Sequence, residues 1–124
     1  MSKASFAIDL QGLSKTYRSG FWMRPFVALK PLNLQIHQGE AFGFVGPNGA
    51  GKTTTIKILA GLQDATSGSA YILGSSVAEP ESRFELGFLP ERPYFYTHLT
   101  AREVLDFYGA LYEIPFKHRR SRIE

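Results

Sequence analysis

The stretch that most constrains this chain is Gly46-Pro47-Asn48-Gly49-Ala50-Gly51-Lys52-Thr53-Thr54. It lies between an apolar run, Ala41 to Val45, and a run with helical patterning, Thr54 to Ala60. The pattern Gly-x-x-x-x-Gly-Lys-Thr is that of a loop wrapped round an anion where a strand gives way to a helix. Glycines at 46, 49 and 51 permit positive φ and carry no Cβ to obstruct a ligand. Successive backbone N–H groups can then converge on one concavity, and the helix that follows adds unpaired N–H groups and its positive dipole end. Lys52 supplies a mobile positive charge, and Thr53 a hydroxyl suited to Mg²⁺. A strand-to-helix turn alone needs neither Lys52 nor two following threonines, so the stretch reads as a site for a nucleotide phosphate.

Composition narrows the setting. A chain of 124 residues, 44% hydrophobic and 20% charged, suits one globular domain with a modest core. Without cysteine, disulfides, thiolate catalysis and Cys-based zinc sites are excluded. Met1 to Leu10 holds one lysine and few apolar residues, unlike a secretory signal. No apolar stretch approaches the roughly 20 residues that cross a bilayer, so a soluble chain with at most a peripheral membrane role is expected. Much of the net charge of +3 gathers in Lys117, His118, Arg119, Arg120 and Arg122, read here as a solvated helix face rather than a nucleic-acid surface.

Along the chain, alternation at Phe6, Ile8 and Leu10 predicts a half-buried strand continuing to Tyr17. Arg18 to Pro25, with Gly20 and the Phe21-Trp22-Met23 cluster, reads as a hairpin loop or irregular excursion. Val27 to Leu29 and Leu32, Leu34 and Ile36 give further strand patterning, with Pro31 marking an edge strand or a bulge. Ala41 to Val45 is read as a buried strand feeding the loop, and Ser69 to Leu73 and Leu86 to Leu89 as further strands. The helix from about Thr53 is expected to place Ile56, Leu59 and Ala60 on one face, with Gly61 as its stop. Thr100-Ala101-Arg102-Glu103 is a capping box opening a helix with Val104, Leu105, Tyr108, Leu111 and Tyr112 on one face.

Gly46 to Thr54, Leu59-Ala60-Gly61 and Thr66-Ser67-Gly68 together resemble the nucleotide-binding subunits of ATP-binding cassette (ABC) transporters. The likeness runs from about Ile8 to Ile123. Gly87-Phe88-Leu89-Pro90-Glu91, Tyr94 and the Leu99-Thr100 helix start resemble the branch serving bacterial exporters and multidrug or polysaccharide-type permeases. The resemblance implies an α/β fold: a P-loop NTPase core with an N-terminal antiparallel β subdomain, truncated before the end of the helical subdomain. Residues 1–124 would form part of one ATP-binding domain, an N-terminal fragment of a longer cassette protein.

The same resemblance implies roles. Gly46 to Thr54 would hold ATP, with Lys52 bridging β- and γ-phosphates, Thr53 on Mg²⁺ and Thr54 near the α-phosphate. Tyr17 falls where the family places an aromatic ring that stacks on adenine, and Phe21 and Trp22 are rivals for that position. Glu91 stands where the family usually has a glutamine touching Mg²⁺ and the attacking water. A carboxylate there would bind Mg²⁺ more strongly but adds negative charge beside a polyphosphate; the other reading is a solvated loop acid. A Leu-Ser-Gly-Gly-Gln-like signature, a strand ending in Asp-Glu and a switch histidine do not occur in this sequence. The implied partners are an integral-membrane permease and a second cassette, at the cytoplasmic face of a membrane and without nucleic acid. ATP binding without hydrolysis is expected of the fragment itself. The alternatives are a cassette ATPase of translation or DNA repair, and a small kinase or GTPase, though the Asn-Lys-x-Asp element of GTPases is lacking.

Overall fold

Alternating apolar residues from Phe6 onward become the long strand β1, Phe6–Ser19, and those of the next segment become its antiparallel partner β2, Arg24–His37. These elements belong to a computed structural model of the chain, which describes residues 6–19 and 22–124. On the other side of β1 lies β3, Ser67–Ile72, followed by the two-residue strand β4, Ser75–Ser76. The sheet is four-stranded and antiparallel throughout, in the order β2-β1-β3-β4. Leu73 and Gly74, at φ 49° and 87°, join β3 to β4 in the doubly left-handed turn that matches strand twist. Pro31 fits the outer position of β2, where a missing N–H costs no interior ladder bond, and it sits beside a register shift between Leu13 and Lys15.

The tip of the first hairpin is tighter than the composition of Arg18 to Pro25 predicts. Pairing continues through Tyr17↔Phe26, Arg18↔Pro25 and Ser19↔Arg24, leaving Trp22 and Met23 in the turn. The other aromatic of that cluster, Phe21, lies outside the described residues.

The helix α1, Lys52–Leu59, packs on the sheet. Its Ile58 joins Leu10, Leu13, Leu29 and Ala70 in the core, ringed by Ile8, Leu32, Leu34, Leu59, Ala65 and Val77. The buried face is Thr55 and Ile58, whereas Ile56, expected inside, is 40% exposed. Thr55 can occupy the core because its hydroxyl donates to the Gly51 carbonyl at 2.9 Å, so no polar group is left unpaired. Gly61 ends the helix as expected. At φ 66° its N–H donates to Ile58 O at 3.0 Å, and the Leu62 N–H reaches back to Lys57 O at 2.9 Å.

Two expected strands do not form. Ala41 to Val45 is irregular, and Val45 is 92% exposed. Its apolar composition predicted an interior strand, but among the described residues no strand lies alongside to receive its N–H and C=O groups. Leu86 to Leu89 is irregular for the same reason.

The chain divides into two compact units, the first ending at Phe88 and the second running Leu89–Glu124. In the second, α2, Ala101–Leu111, begins with the anticipated capping box. The Thr100 N–H donates to Glu103 Oε2 at 2.7 Å, and the Glu103 N–H to Thr100 Oγ1 at 3.3 Å. Of its expected apolar face only Val104 is buried, with Leu105, Tyr108, Leu111 and Tyr112 exposed. Beyond Pro115 runs α3, Phe116–Ile123, with no buried residue. Arg119 ties the two helices, donating to Asp106 Oδ1 at 2.8 Å and Ile114 O at 2.7 Å. No helix of the described residues is long and apolar enough to cross a membrane.

Candidate functional site

The loop expected to grip phosphate leads into α1 at Gly51, whose left-handed conformation (φ 88°, ψ 2°) turns the chain into the helix. Glycine is obligatory here on two grounds. An added Cβ would stand 2.7 Å from Leu29 Cδ1 and 3.0 Å from the Ala28 carbonyl, and an L side chain disfavours that φ. The loop therefore rests directly on β2. Gly49 also has positive φ, at 83°, but Gly46 does not. A Cβ at Gly46 would meet Ala50 Cβ at 3.4 Å, an ordinary contact, so the expectation of positive φ at all three glycines holds only for the last two.

Because its cap residue has no side chain, α1 begins without a side-chain cap, and its first turn contains no acidic residue. A helix leaves its first four N–H groups without intrahelical partners and carries partial positive charge at that end. In α2 a threonine and a glutamate answer both demands; in α1 the chain supplies neither. An oxyanion of a bound phosphate would meet them. The Lys52 ammonium arches over the same loop, donating to the carbonyls of Gly46 and, at 2.7 Å, Pro47. The Ala50 N–H closes the turn on Pro47 O at 3.2 Å.

A cavity of about 280 Å³ opens at this end of the helix. Asn48 to Thr54 line one side, and Tyr17, Phe26 and Ala28 of the first hairpin line the other. Tyr17 is thus brought to the loop from a distant part of the chain, while Trp22, 80% exposed at the hairpin tip, does not line the cavity. Gly46 and Pro47 form the base that receives Lys52. Thr53 is exposed at the cavity and Thr54 half-buried, so the Thr53 hydroxyl fits a cation that keeps most of its ligands from water and phosphate. Glu91 lies on an exposed bend of the second unit. Phe26 and Ala28 are additions to the expected set. The signal for Phe26 was the pairing register that sets it opposite Tyr17, which sequence alone did not supply.

The chain matches the ABC transporter family over residues 29–124. It is 48% identical over 117 residues to an uncharacterized ABC transporter ATP-binding protein, sll0415, of Synechocystis, covering 94% of this chain and 33% of that protein. It is 37% identical over 117 residues to the human phospholipid-transporting ATPase ABCA3, covering 93% of this chain and 7% of that protein. The chain thus spans about a third or less of the length of these curated relatives. Among solved structures it resembles the ATP-binding cassette MJ0796 in a dimeric post-hydrolysis state bound to ADP and Pi. The TM-score is 0.76 at 27% identity, over 94% of this chain and 53% of that one. An ATP-binding subunit of an ABC transporter gives the same TM-score of 0.76 at 28% identity, over 94% of this chain and 47% of that one. By its α/β fold, its loop and its match over most of its length, the chain belongs to the ATP-binding cassettes of the ABC transporter family.

Proposed function

We propose that this chain binds ATP at the head of α1, as the nucleotide-holding part of a cassette that energises transport across a membrane. The observation that carries this reading is the uncapped helix start on Gly51, with Lys52 beside it and Tyr17 across the cavity. The backbone N–H groups from Asn48 to Thr53 hold the β-phosphate, and Lys52 leaves the Gly46 and Pro47 carbonyls for the β- and γ-phosphates. Thr53 would hold Mg²⁺, which when bound would neutralise polyphosphate charge, and Thr54 would lie near the α-phosphate. Tyr17 stacks on adenine. The structural relative bound to ADP and Pi supports a nucleotide as the ligand.

Binding and hydrolysis separate in this chain. Phosphoryl transfer to water depends on positioning and on a group that orients or deprotonates the water. Among the described residues lining the cavity there is no Asp, Glu or His. The chain by itself therefore binds ATP and turns it over negligibly; robust hydrolysis by the purified chain, free of contaminants, would contradict this. The complete protein works with a membrane permease and a second cassette at the cytoplasmic face, a reading supported by the dimeric state of its structural relative.

The test is calorimetry with ATP and Mg²⁺. Hydrogen bonds to charged groups contribute about 1.5–3 kcal/mol each, so Lys52→Ala should weaken binding by roughly ten- to a hundredfold or more. Affinity equal to that of the unaltered chain would remove the assignment.

A further inference from the structure

The hairpin that carries Tyr17 to the loop carries a second ring with it. Tyr17 and Phe26 are register partners on β1 and β2, and directly opposed residues of an antiparallel pair project from the same side of the sheet. Both line the cavity at the head of α1. Phe26 is 61% exposed, so its ring is not held there by core packing, and the core beneath is built from Leu10, Leu13 and Leu29 without it. The Tyr17 ring is itself constrained. The Lys15 ammonium lies over it, 5.4 Å from the centroid, and is anchored by donating to the Asp64 carbonyl at 2.6 Å. One face of the tyrosine is thereby occupied by a fixed cation, which leaves the opposite face for a planar ligand.

We propose that Phe26 is a specificity-determining residue of this site: with Tyr17 it forms a two-ring apolar seat that favours a purine over a pyrimidine nucleoside triphosphate. This rests on the reading of the cavity as a nucleotide site and goes beyond it by naming what selects the base. A tyrosine face alone is a tolerant platform, because every base has a π-face. A second ring at its flank adds apolar surface, and a bicyclic base has more apolar surface to set against it than a monocyclic base. Ala28, also in the lining, is too small to supply that contact.

The experiment measures equilibrium binding of ATP, CTP and inorganic tripolyphosphate, each with Mg²⁺, to the full chain and to Phe26→Ala, Phe26→Trp and Lys52→Ala. Tripolyphosphate binding that is lost in Lys52→Ala would establish the loop independently of any base. On that background Phe26→Ala should weaken ATP about tenfold, bring ATP and CTP close together and leave tripolyphosphate unchanged. Phe26→Trp should keep the preference for ATP. If ATP and CTP weaken equally in Phe26→Ala, or if the ATP preference survives it, Phe26 does not select the base, although the loop assignment stands. If neither ATP nor tripolyphosphate binds, the nucleotide reading falls and this proposal with it.

Discussion

At Gly51 packing and binding make the same demand. Its position against Leu29 and the Ala28 carbonyl seats the loop on the sheet, and its lack of a side chain leaves the start of α1 uncapped. Gly51→Ala should therefore impair both. A left-handed L residue costs about 1–2 kcal/mol, and forcing a methyl into a filled site about 1–3 kcal/mol more. Denaturant unfolding should show a loss in that range together with loss of ATP binding, and an unchanged midpoint would contradict the packing account. The binding loop was legible in the sequence because its chemistry is contiguous from Gly46 to Thr54. Phe26 and Thr55 were not, since each draws its meaning from a partner fixed only by the fold. Phe26 depends on a cross-strand register, and Thr55 on the carbonyl one turn earlier.

The two helix starts show how local sequence writes opposite outcomes into similar elements. α2 opens on Thr100 with Glu103 closing the box, and the backbone and side-chain hydrogen bonds from Thr100 hold the Glu103 carboxyl below the usual carboxylate range. A carboxylate with a depressed folded-state pKa stabilises above its unfolded value, and the contribution is lost as pH falls through the folded value. Acidification should thus lower the protection against hydrogen exchange at the start of α2, measured relative to the intrinsic exchange rate at each pH, in the unaltered chain. Glu103→Gln keeps the reciprocal bonds without the charge and should remove that pH dependence; the same pH trend in both would contradict it. Thr100→Ala should weaken the helix by about 1 kcal/mol, read as lost α2 protection at neutral pH. Capping boxes and glycine stops are readable because they are local. The run from Ala41 to Val45 misled because a strand exists only with a neighbour, and its composition cannot say whether one lies beside it.

At the scale of the molecule, the antiparallel hairpin layer and α1 bury a small core and leave apolar surface uncovered. In the first unit, Ile8, Leu34, Ile36, Phe42, Phe44 and Leu59 line a cavity of about 340 Å³, and Phe42 is itself exposed, as is Val45. Contiguous exposed apolar surface favours association. Light scattering of the purified chain should show concentration-dependent self-association and a broad thermal transition, whereas a monodisperse monomer with a sharp melt at high temperature would contradict this. The α/β class and the family were readable because the loop, the helix stop and the Thr66-Ser67-Gly68 stretch occur in order along one chain, although Ser67 and Gly68, read as a turn, already belong to β3. The division at Phe88 was not, because no linker composition marks it.

On this reading the uncapped head of α1 grips a triphosphate with Tyr17 at the base. Backbone amide NMR during titration with ATP and Mg²⁺ tests it residue by residue. Saturable shifts concentrated at Asn48 to Thr54 and at Tyr17 and Phe26 are expected. Saturable binding whose shifts fall elsewhere, with the amides of Gly49 to Thr53 unmoved, would contradict it.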